Sequence, residues 1–211
     1  MIFEIYNKLL REHGHRKWWP VSSFTEPKEW EICIGAILTQ NTAWRNVEKA
    51  LLNLKNANCR TADDILKMNT REFRKLIRPS GFFNQKSKRL KIFARYIIEN
   101  FGSVENFLKN AKREDLLKVN GIGNETADSI LLYACNKPHF VVDAYAKRIF
   151  SRFGIIDDSW KYEQIKELFE NNLPKDVKVY QEFHALIVKH AKECCKKVIN
   201  ENCALKTVTL H

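Results

Sequence analysis

Two glycines separated by one residue constrain this chain more than any other feature of its sequence. An amphipathic helical pattern runs up to Gly121-Ile122-Gly123, and a new helical pattern begins directly after the second glycine. Because glycine lets the backbone turn tightly, the segment predicts a helix, a short hairpin and a second helix. Backbone amides gathered at the start of a helix suit an anionic oxygen, such as a phosphate of nucleic acid.

A second candidate feature follows the hairpin. The apolar run Phe140-Val141-Val142 ends at Asp143, and helical periodicity resumes through Tyr145, Ile149 and Phe150. Asp143 is therefore predicted to stand where a helix begins. A carboxylate at that place can cap the helix or take part in catalysis, and the sequence leaves both interpretations open.

The remaining apolar residues also follow helical spacing. They indicate many helices of two to four turns joined by short connections, the first over residues 2–13, and no segment shows the alternating pattern of a strand. With 211 residues and 45% apolar content, the chain is long enough for one large domain or two small lobes with a real core. The sequence predicts an all-α protein.

Charge and cysteine usage indicate a partner and a compartment. Thirty-six Lys and Arg against twenty-five Asp and Glu give a formal net charge of +11 and a pI near 9.4, which favours nucleic acid as partner, although basic proteins with other roles exist. No apolar stretch has transmembrane length, and the six cysteines lack the regular spacing of a disulfide framework. These features predict a cytoplasmic protein.

Two other segments have the composition of binding loops. The segment 82–89, Phe-Phe-Asn-Gln-Lys-Ser-Lys-Arg, places aromatic rings beside cations, which suits contact with DNA but also describes a solvated helix start. Trp18-Trp19-Pro20 is predicted to be extended, and its tryptophans could form a hydrophobic plug or stack on a ligand.

Together these motifs resemble a known family. The hairpin from Leu116 to Ala127, followed by Val141-Val142-Asp143 and Arg148, is similar to the helix-hairpin-helix, Gly/Pro-rich loop and aspartate of the endonuclease III superfamily of base-excision DNA glycosylases. The segments 38–42 and 81–86 resemble two DNA-facing loops of that family. Within it, residues 18–20, 38–42 and 78–90 look most similar to the bacterial 3-methyladenine DNA glycosylase III branch.

The resemblance implies an architecture. Residues 1–25 and 137–211 would form a discontinuous helical lobe carrying the catalytic aspartate, and residues 26–136 a six-helix barrel lobe ending in the helix-hairpin-helix. Double-stranded DNA containing a damaged base would bind in a central cleft, with Asp143 at the junction. The protein is expected to be a nucleoid-associated monomer.

The resemblance also implies roles for individual residues. Asp143 would assist attack by water on the sugar, Gln40 would fill the gap left by a flipped nucleotide, and Phe82 would wedge the base stack. Gln40 could instead be a loop-capping amide, and Phe82 an ordinary buried side chain. Pocket and base-stacking roles fall to Trp18, Trp19, Trp44, Glu125 and Lys192, and DNA-backbone contacts to Gly121, Gly123, Asn124, Thr126, Lys86 and Lys88.

One departure from the family pattern is informative. Bifunctional members place a lysine two residues after the second hairpin glycine, where its amine forms a Schiff base that leads to strand cleavage. Here that residue is Glu125, which cannot form a Schiff base but would also suit the first turn of a helix. The chain is thus predicted to be a monofunctional glycosylase of alkylated purines resembling 3-methyladenine. The alternatives are a glycosylase and lyase of oxidised pyrimidines, or a DNA-binding protein without catalysis.

The C-terminal cysteines provide a second departure. Many relatives hold a four-iron cluster with four thiolates, whereas this region has Cys194, Cys195 and Cys203. The sequence therefore predicts no iron-sulfur cluster, no metal and no other cofactor. A zinc ion held by Cys195, Cys203 and either His190 or His211 is an alternative with less support.

Overall fold

A computed structural model describes residues 1–16, 19, 22–196, 203 and 205 of the chain. The described residues form helices without a strand, which confirms the all-α prediction. A 3₁₀ turn spans Arg78–Ser80 and a π-helical turn spans Ile130–Ala134. The α-helices are α1 (Ile2–His13), α2 (Glu29–Leu38), α3 (Trp44–Asn56), α4 (Ala62–Lys67), α5 (Thr70–Ile77), α6 (Phe83–Phe101), α7 (Val104–Asn110), α8 (Arg113–Leu116), α9 (Asn124–Ser129), α10 (Ala144–Arg152), α11 (Tyr162–Asn172) and α12 (Val177–Glu193).

The chain divides into two compact units, Met1–Pro20 with Lys137–His211, and Val21–Asn136. We call the first the terminal unit and the second the central unit. Each buries its own apolar side chains, as a separate core requires.

Helix α2 forms the middle of the central unit. Nine of its ten residues, from Trp30 to Leu38, are buried. A helix that is buried on nearly every side must be covered all round, and α3, α6 and the π-helical turn pack against it. The Trp30 ring stacks on Phe93 of α6 at 5.8 Å between centroids, and Phe93 meets Phe107 of α7 edge to face.

Short helices of the central unit begin at residues that bond their free amides. The Thr61 hydroxyl accepts from the Asp64 amide, and the Asp64 carboxylate accepts from the Thr61 amide in return. Asn69 caps α5 and Ser103 caps α7 by the same kind of bond. These caps explain why helices of only six to eight residues form here.

The terminal unit joins the two ends of the chain. Helix α1 packs against α12 and α11, and α10 packs against α12. Its core is a group of stacked and edge-to-face phenylalanine rings. Phe140 stacks on Phe169 at 4.2 Å, and Phe150 and Phe183 pack around that pair.

No helix among the described residues has both the length and the apolar content needed to cross a membrane.

The second hairpin helix, α9, is tied to α8 by a buried ion pair. The Arg113 guanidinium donates from Nε to Asp128 Oδ1 at 2.8 Å and from Nη2 to Oδ2 at 3.2 Å. The Asp128 side chain is 0% exposed and that of Arg113 18%. These two hydrogen bonds offset the hydration energy that both charged groups lose on burial. They also fix the distance between the two hairpin helices.

We expect Asp128→Ala to lower the free energy of unfolding by about 3 kcal/mol, because it leaves the partly buried Arg113 guanidinium without this carboxylate. Urea denaturation followed by circular dichroism measures the change. Asp115→Ala is the matched control, since it removes an Asp-Lys118 pair that solvent screens. An Asp128 variant as stable as the Asp115 variant would contradict a supporting role for the buried pair.

Candidate active site

Asp143 is the N-cap of α10, as its place after a buried apolar run predicted. Val141 and Val142 are buried, and Asp143 has extended backbone angles that end the run. Its Oδ1 accepts from the Ala146 amide at 2.7 Å. One carboxylate oxygen therefore caps the helix, and this bond fixes the direction of the other oxygen.

The second oxygen of Asp143 faces a histidine that sequence reasoning missed. Asp143 Oδ2 lies 3.4 Å from His184 Nε2, with the two side chains 13% and 7% exposed. His184 belongs to α12, between the buried residues Tyr180 and Val188. A histidine at a core position of an otherwise apolar helix face was the signal available in the sequence. The pair gives Asp143 a polar neighbour that can orient the carboxylate or a water molecule beside it.

Two cations lie close to an aromatic ring of α10. The Tyr145 ring lies 5.2 Å from the Arg148 guanidinium carbon and 5.8 Å from Lys192 Nζ. Arg148 Nη2 also donates to the carbonyls of Ala191 and Cys195, at the C-terminal end of α12. Lys192, a predicted pocket residue, is thus in the same unit as Asp143 and is exposed.

The predicted paired tryptophans are only partly described. Trp19 is partly buried and belongs to the terminal unit. Trp18 lies outside the described residues. Trp44 is the first residue of α3 in the central unit, where it is also partly buried. Their stacking roles stay predictions.

In the hairpin of the central unit, only one of the two glycines is required by its backbone conformation. Gly121 has φ of +93°, and a Cβ there would lie 2.4 Å from Arg89 Cγ. Gly123 has φ of −95° and open space around it, so other residues could adopt its conformation. Gly123 and Asn124 start α9 at the surface, which fits their predicted contact with DNA phosphates.

Gln40 connects the loop after α2 to this hairpin. Its Nε2 donates to the Gly121 carbonyl and to Thr126 Oγ1, each at 3.0 Å, and its Oε1 accepts from Arg89 Nη1. The predicted gap-filling role of Gln40 would require these bonds to be exchanged for contacts with DNA. Thr126 is 6% exposed with its hydroxyl bonded to Gln40, so a phosphate contact at this position is left to its backbone amide.

Phe82 has the exposure that a wedge residue needs. Its side chain is 62% exposed, and its φ of +44° is uncommon for a residue with a side chain. It immediately precedes α6. The alternative of ordinary burial is therefore wrong.

Lys86 requires a correction to its predicted contact with DNA phosphates. The residue is 1% exposed, and its ammonium donates to the carbonyls of Leu38 at 2.8 Å and Ser80 at 2.6 Å. Burial lowers its pKa to about 8. Lys86 joins the end of α2 to the 3₁₀ turn inside the unit, because those carbonyls need a donor. Lys88, two residues further on, is exposed and keeps its predicted role.

Glu125 lies in the first turn of α9 and is exposed. A carboxylate here is favoured by the unbonded amides of the helix start. Its predicted place at a pocket stays a prediction.

The thiols near the C-terminus do not fit a four-iron cluster. Cys194 Sγ lies 3.6 Å from Glu12 Oε1, Cys195 Sγ accepts from Arg152 Nη1 at 3.3 Å, and Cys203 Sγ lies 3.2 Å from His190 Nε2. A four-iron cluster needs four thiolates directed at one centre, and these three are directed at three different partners.

Comparison with known proteins gives this geometry a context. Residues 34–175 match the family described as HhH-GPD superfamily base excision DNA repair protein. A protein of Methanocaldococcus jannaschii named only as a candidate DNA repair glycosylase is 49% identical over 100% of this chain and 96% of its own length. Endonuclease III of Thermotoga maritima is 29% identical, over 86% of this chain and 82% of its own.

Solved structures give the same result for the fold. The 3-methyladenine DNA glycosylase of H. pylori, bound to 1,N6-ethenoadenine, is 33% identical with a TM-score of 0.79, over 91% of this chain and 97% of its own. An endonuclease III complex with DNA has the same TM-score at 17% identity, over 95% and 88%, and so supports the fold alone. By its family match, its relatives and its fold, the chain belongs to the helix-hairpin-helix superfamily of base-excision DNA repair glycosylases.

Proposed function

We propose that the protein is a monofunctional DNA glycosylase that removes alkylated purines by attack of water, assisted by Asp143. The observation that carries the proposal is the carboxylate of Asp143, held by Ala146 on one oxygen and facing His184 with the other. Breaking an N-glycosidic bond develops positive charge on the deoxyribose, and a fixed carboxylate stabilises that charge and orients water. A protein that only binds DNA would need no such carboxylate beyond a helix cap. Because the substrate is chromosomal DNA, we expect the protein at the nucleoid, as a monomer.

The lysines near the hairpin and Asp143 support water as the nucleophile. Lys118 pairs with Asp115 at 2.9 Å, and that carboxylate raises the lysine's pKa and keeps its amine protonated. Lys147 Nζ donates to the Trp160 carbonyl at 3.2 Å. Lys86 has the lowered pKa of a reactive amine, yet its burial closes it to a substrate. Glu125 occupies the family's lysine position, and none of these three lysines offers a free amine that could attack the sugar.

Similarity to the 3-methyladenine DNA glycosylase of H. pylori supports alkylated purines as substrate. The base 3-methyladenine is positively charged within DNA, and an indole face attracts a cation more strongly than a neutral base. A charged base is also already a good leaving group, so the site needs little acid catalysis. We assign Trp44 as the stacking aromatic.

We expect Asp143→Asn to reduce the single-turnover rate of base release by about 10²–10⁴-fold while DNA affinity persists. Asparagine also caps helices well, so the variant should fold. Asp176→Asn is the matched control, because Asp176 caps α12 through its Oδ1 and the Val179 amide. It should keep full activity. Base release that survives in Asp143→Asn would overturn the proposed role.

Borohydride reduction should trap no covalent complex between the wild-type protein and DNA containing the excised lesion, because water leaves no Schiff base. Endonuclease III on its own substrate provides the positive control. A trapped adduct that runs as a protein-DNA band on denaturing gels would favour the glycosylase and lyase alternative.

Release from a panel of damaged duplexes tests the substrate class. We expect loss of 3-methyladenine, and we expect Trp44→Leu to slow that release by about tenfold, more than it slows release of the neutral ethenoadenine. Trp160→Leu, at a partly buried tryptophan of the terminal unit, is the control. A release profile restricted to uracil, mismatched thymine or thymine glycol would contradict the alkylpurine assignment. It would not bear on the roles of Asp143 and Glu125, which the Asp143→Asn variant and the borohydride experiment test.

A further inference from the structure

A group of metal-binding side chains lies in the terminal unit, where the end of α1 meets the end of α12. Its members are Glu12 and His13 on α1, and His190 and Cys194 at the C-terminal end of α12. One ligand atom from each lies within 4.8 Å of the other three. His190 and Cys194 are four residues apart and so share one helix face, and α1 supplies the other two. The glycosylase chemistry proposed above uses none of these residues.

The distances between these atoms are close to those of a tetrahedral zinc site. His13 Nε2 lies 3.0 Å from His190 Nδ1, and Cys194 Sγ lies 3.6 Å from Glu12 Oε1. Glu12 also approaches both rings, at 3.7 Å from His190 Nδ1 and 3.8 Å from His13 Nε2. Tetrahedral zinc separates two nitrogens by about 3.3 Å and a sulfur from a nitrogen or oxygen by about 3.6 Å. Small side-chain shifts would convert one set of distances into the other.

His190 also has a neighbour that would orient it as a ligand. With Nδ1 bound to a metal, the ring proton of His190 resides on Nε2, which lies 3.2 Å from Cys203 Sγ. Such a contact fixes the tautomer and orientation of a ligating histidine.

We propose that Glu12, His13, His190 and Cys194 bind one zinc ion that joins α1 to α12. The donor set of two imidazoles, one thiolate and one carboxylate is of the kind that zinc prefers. Binding releases the Cys194 thiol proton to solvent. The proton that bridges His13 Nε2 and His190 Nδ1 moves to the outer nitrogen of the ring that carries it, so each histidine keeps one proton, on the nitrogen that does not face the metal. The ion fixes the far end of the helix that carries His184, and it acts in stability rather than in the reaction.

This site differs from the cysteine set that the sequence suggested for zinc. Cys195 is adjacent to Cys194, but its thiol is directed at Arg152 of α10. Cys203 touches the outer nitrogen of His190 and is therefore an orienting neighbour and not a ligand. His211 lies outside the described residues.

Zinc content and cobalt spectroscopy of the purified full-length protein test the proposal. We expect one zinc per chain, a rise in Tm when zinc is returned after chelation, and a thiolate-to-cobalt charge-transfer band after cobalt substitution. His13→Gln and Cys194→Ser should each weaken zinc binding by at least the roughly 10–100-fold that loss of an outer neighbour causes. Cys194→Ser should abolish the charge-transfer band, and Cys203→Ala should preserve it.

Cys195→Ser is the matched control, because it changes the adjacent buried thiol and should leave zinc content and the cobalt band intact. Circular dichroism identifies the variants that fold. Among the two histidines we chose His13 for substitution, because it lies near the end of α1 whereas His190 is fully buried. Zinc titration without binding, binding that persists in both His13→Gln and Cys194→Ser, or loss of binding in Cys195→Ser would each overturn the site. A protein that contains iron with visible absorption would do the same.

Discussion

The hydrogen bonds of one side-chain amide hold three segments of the central unit together. Gln40 donates to the hairpin at Gly121 and Thr126 and accepts from Arg89 of α6. Arg89 in turn lies against the Gly121 backbone, where a side chain on that residue would collide with it. Glycine is therefore required at this turn for two reasons, its positive φ and the arginine packed on it. The loop after α2, α6 and the hairpin are consequently held together by one side chain, and the gap-filling role predicted for Gln40 would require that side chain to leave them.

In the terminal unit, the Asp143 carboxylate combines a structural role with the chemical role proposed for it. The bond from Ala146 to Oδ1 sets the side-chain torsion, and Oδ2 is thereby directed at His184. A catalytic group gains most of its effect from being positioned before the reaction begins. The helix cap supplies that positioning without an additional residue, so the two interpretations that the sequence left open for Asp143 are compatible. His184 then limits the orientations that the free oxygen can adopt.

Features that depend on local sequence could be predicted, and those that depend on long-range contacts could not. The α1 helix, the glycine hairpin and the helix start at Asp143 follow from periodicity and from turn and capping residues, which act over a few positions. His184 approaches Asp143, and His13 approaches His190 across 177 residues of sequence, only because helices pack together. The burial of Lys86 was missed for a similar reason. Its two acceptor carbonyls belong to the end of α2 and to the 3₁₀ turn, and the sequence does not show that they approach it. From sequence alone, a lysine next to exposed cations is expected to be exposed as well.

The same internal use of cations changes what the net charge of +11 means. Lys86 and Arg148 both contribute to that number, yet their donors are bonded to backbone carbonyls and not to anions. The salt dependence of DNA affinity reports the number of phosphates neutralised, which depends on cations that reach the surface, such as Lys88. The formal charge therefore overstates the number of phosphate contacts. Part of this chain's basic character stabilises loops and helix ends, and that part would respond less to added salt because Lys86 is buried and Arg148 is partly buried.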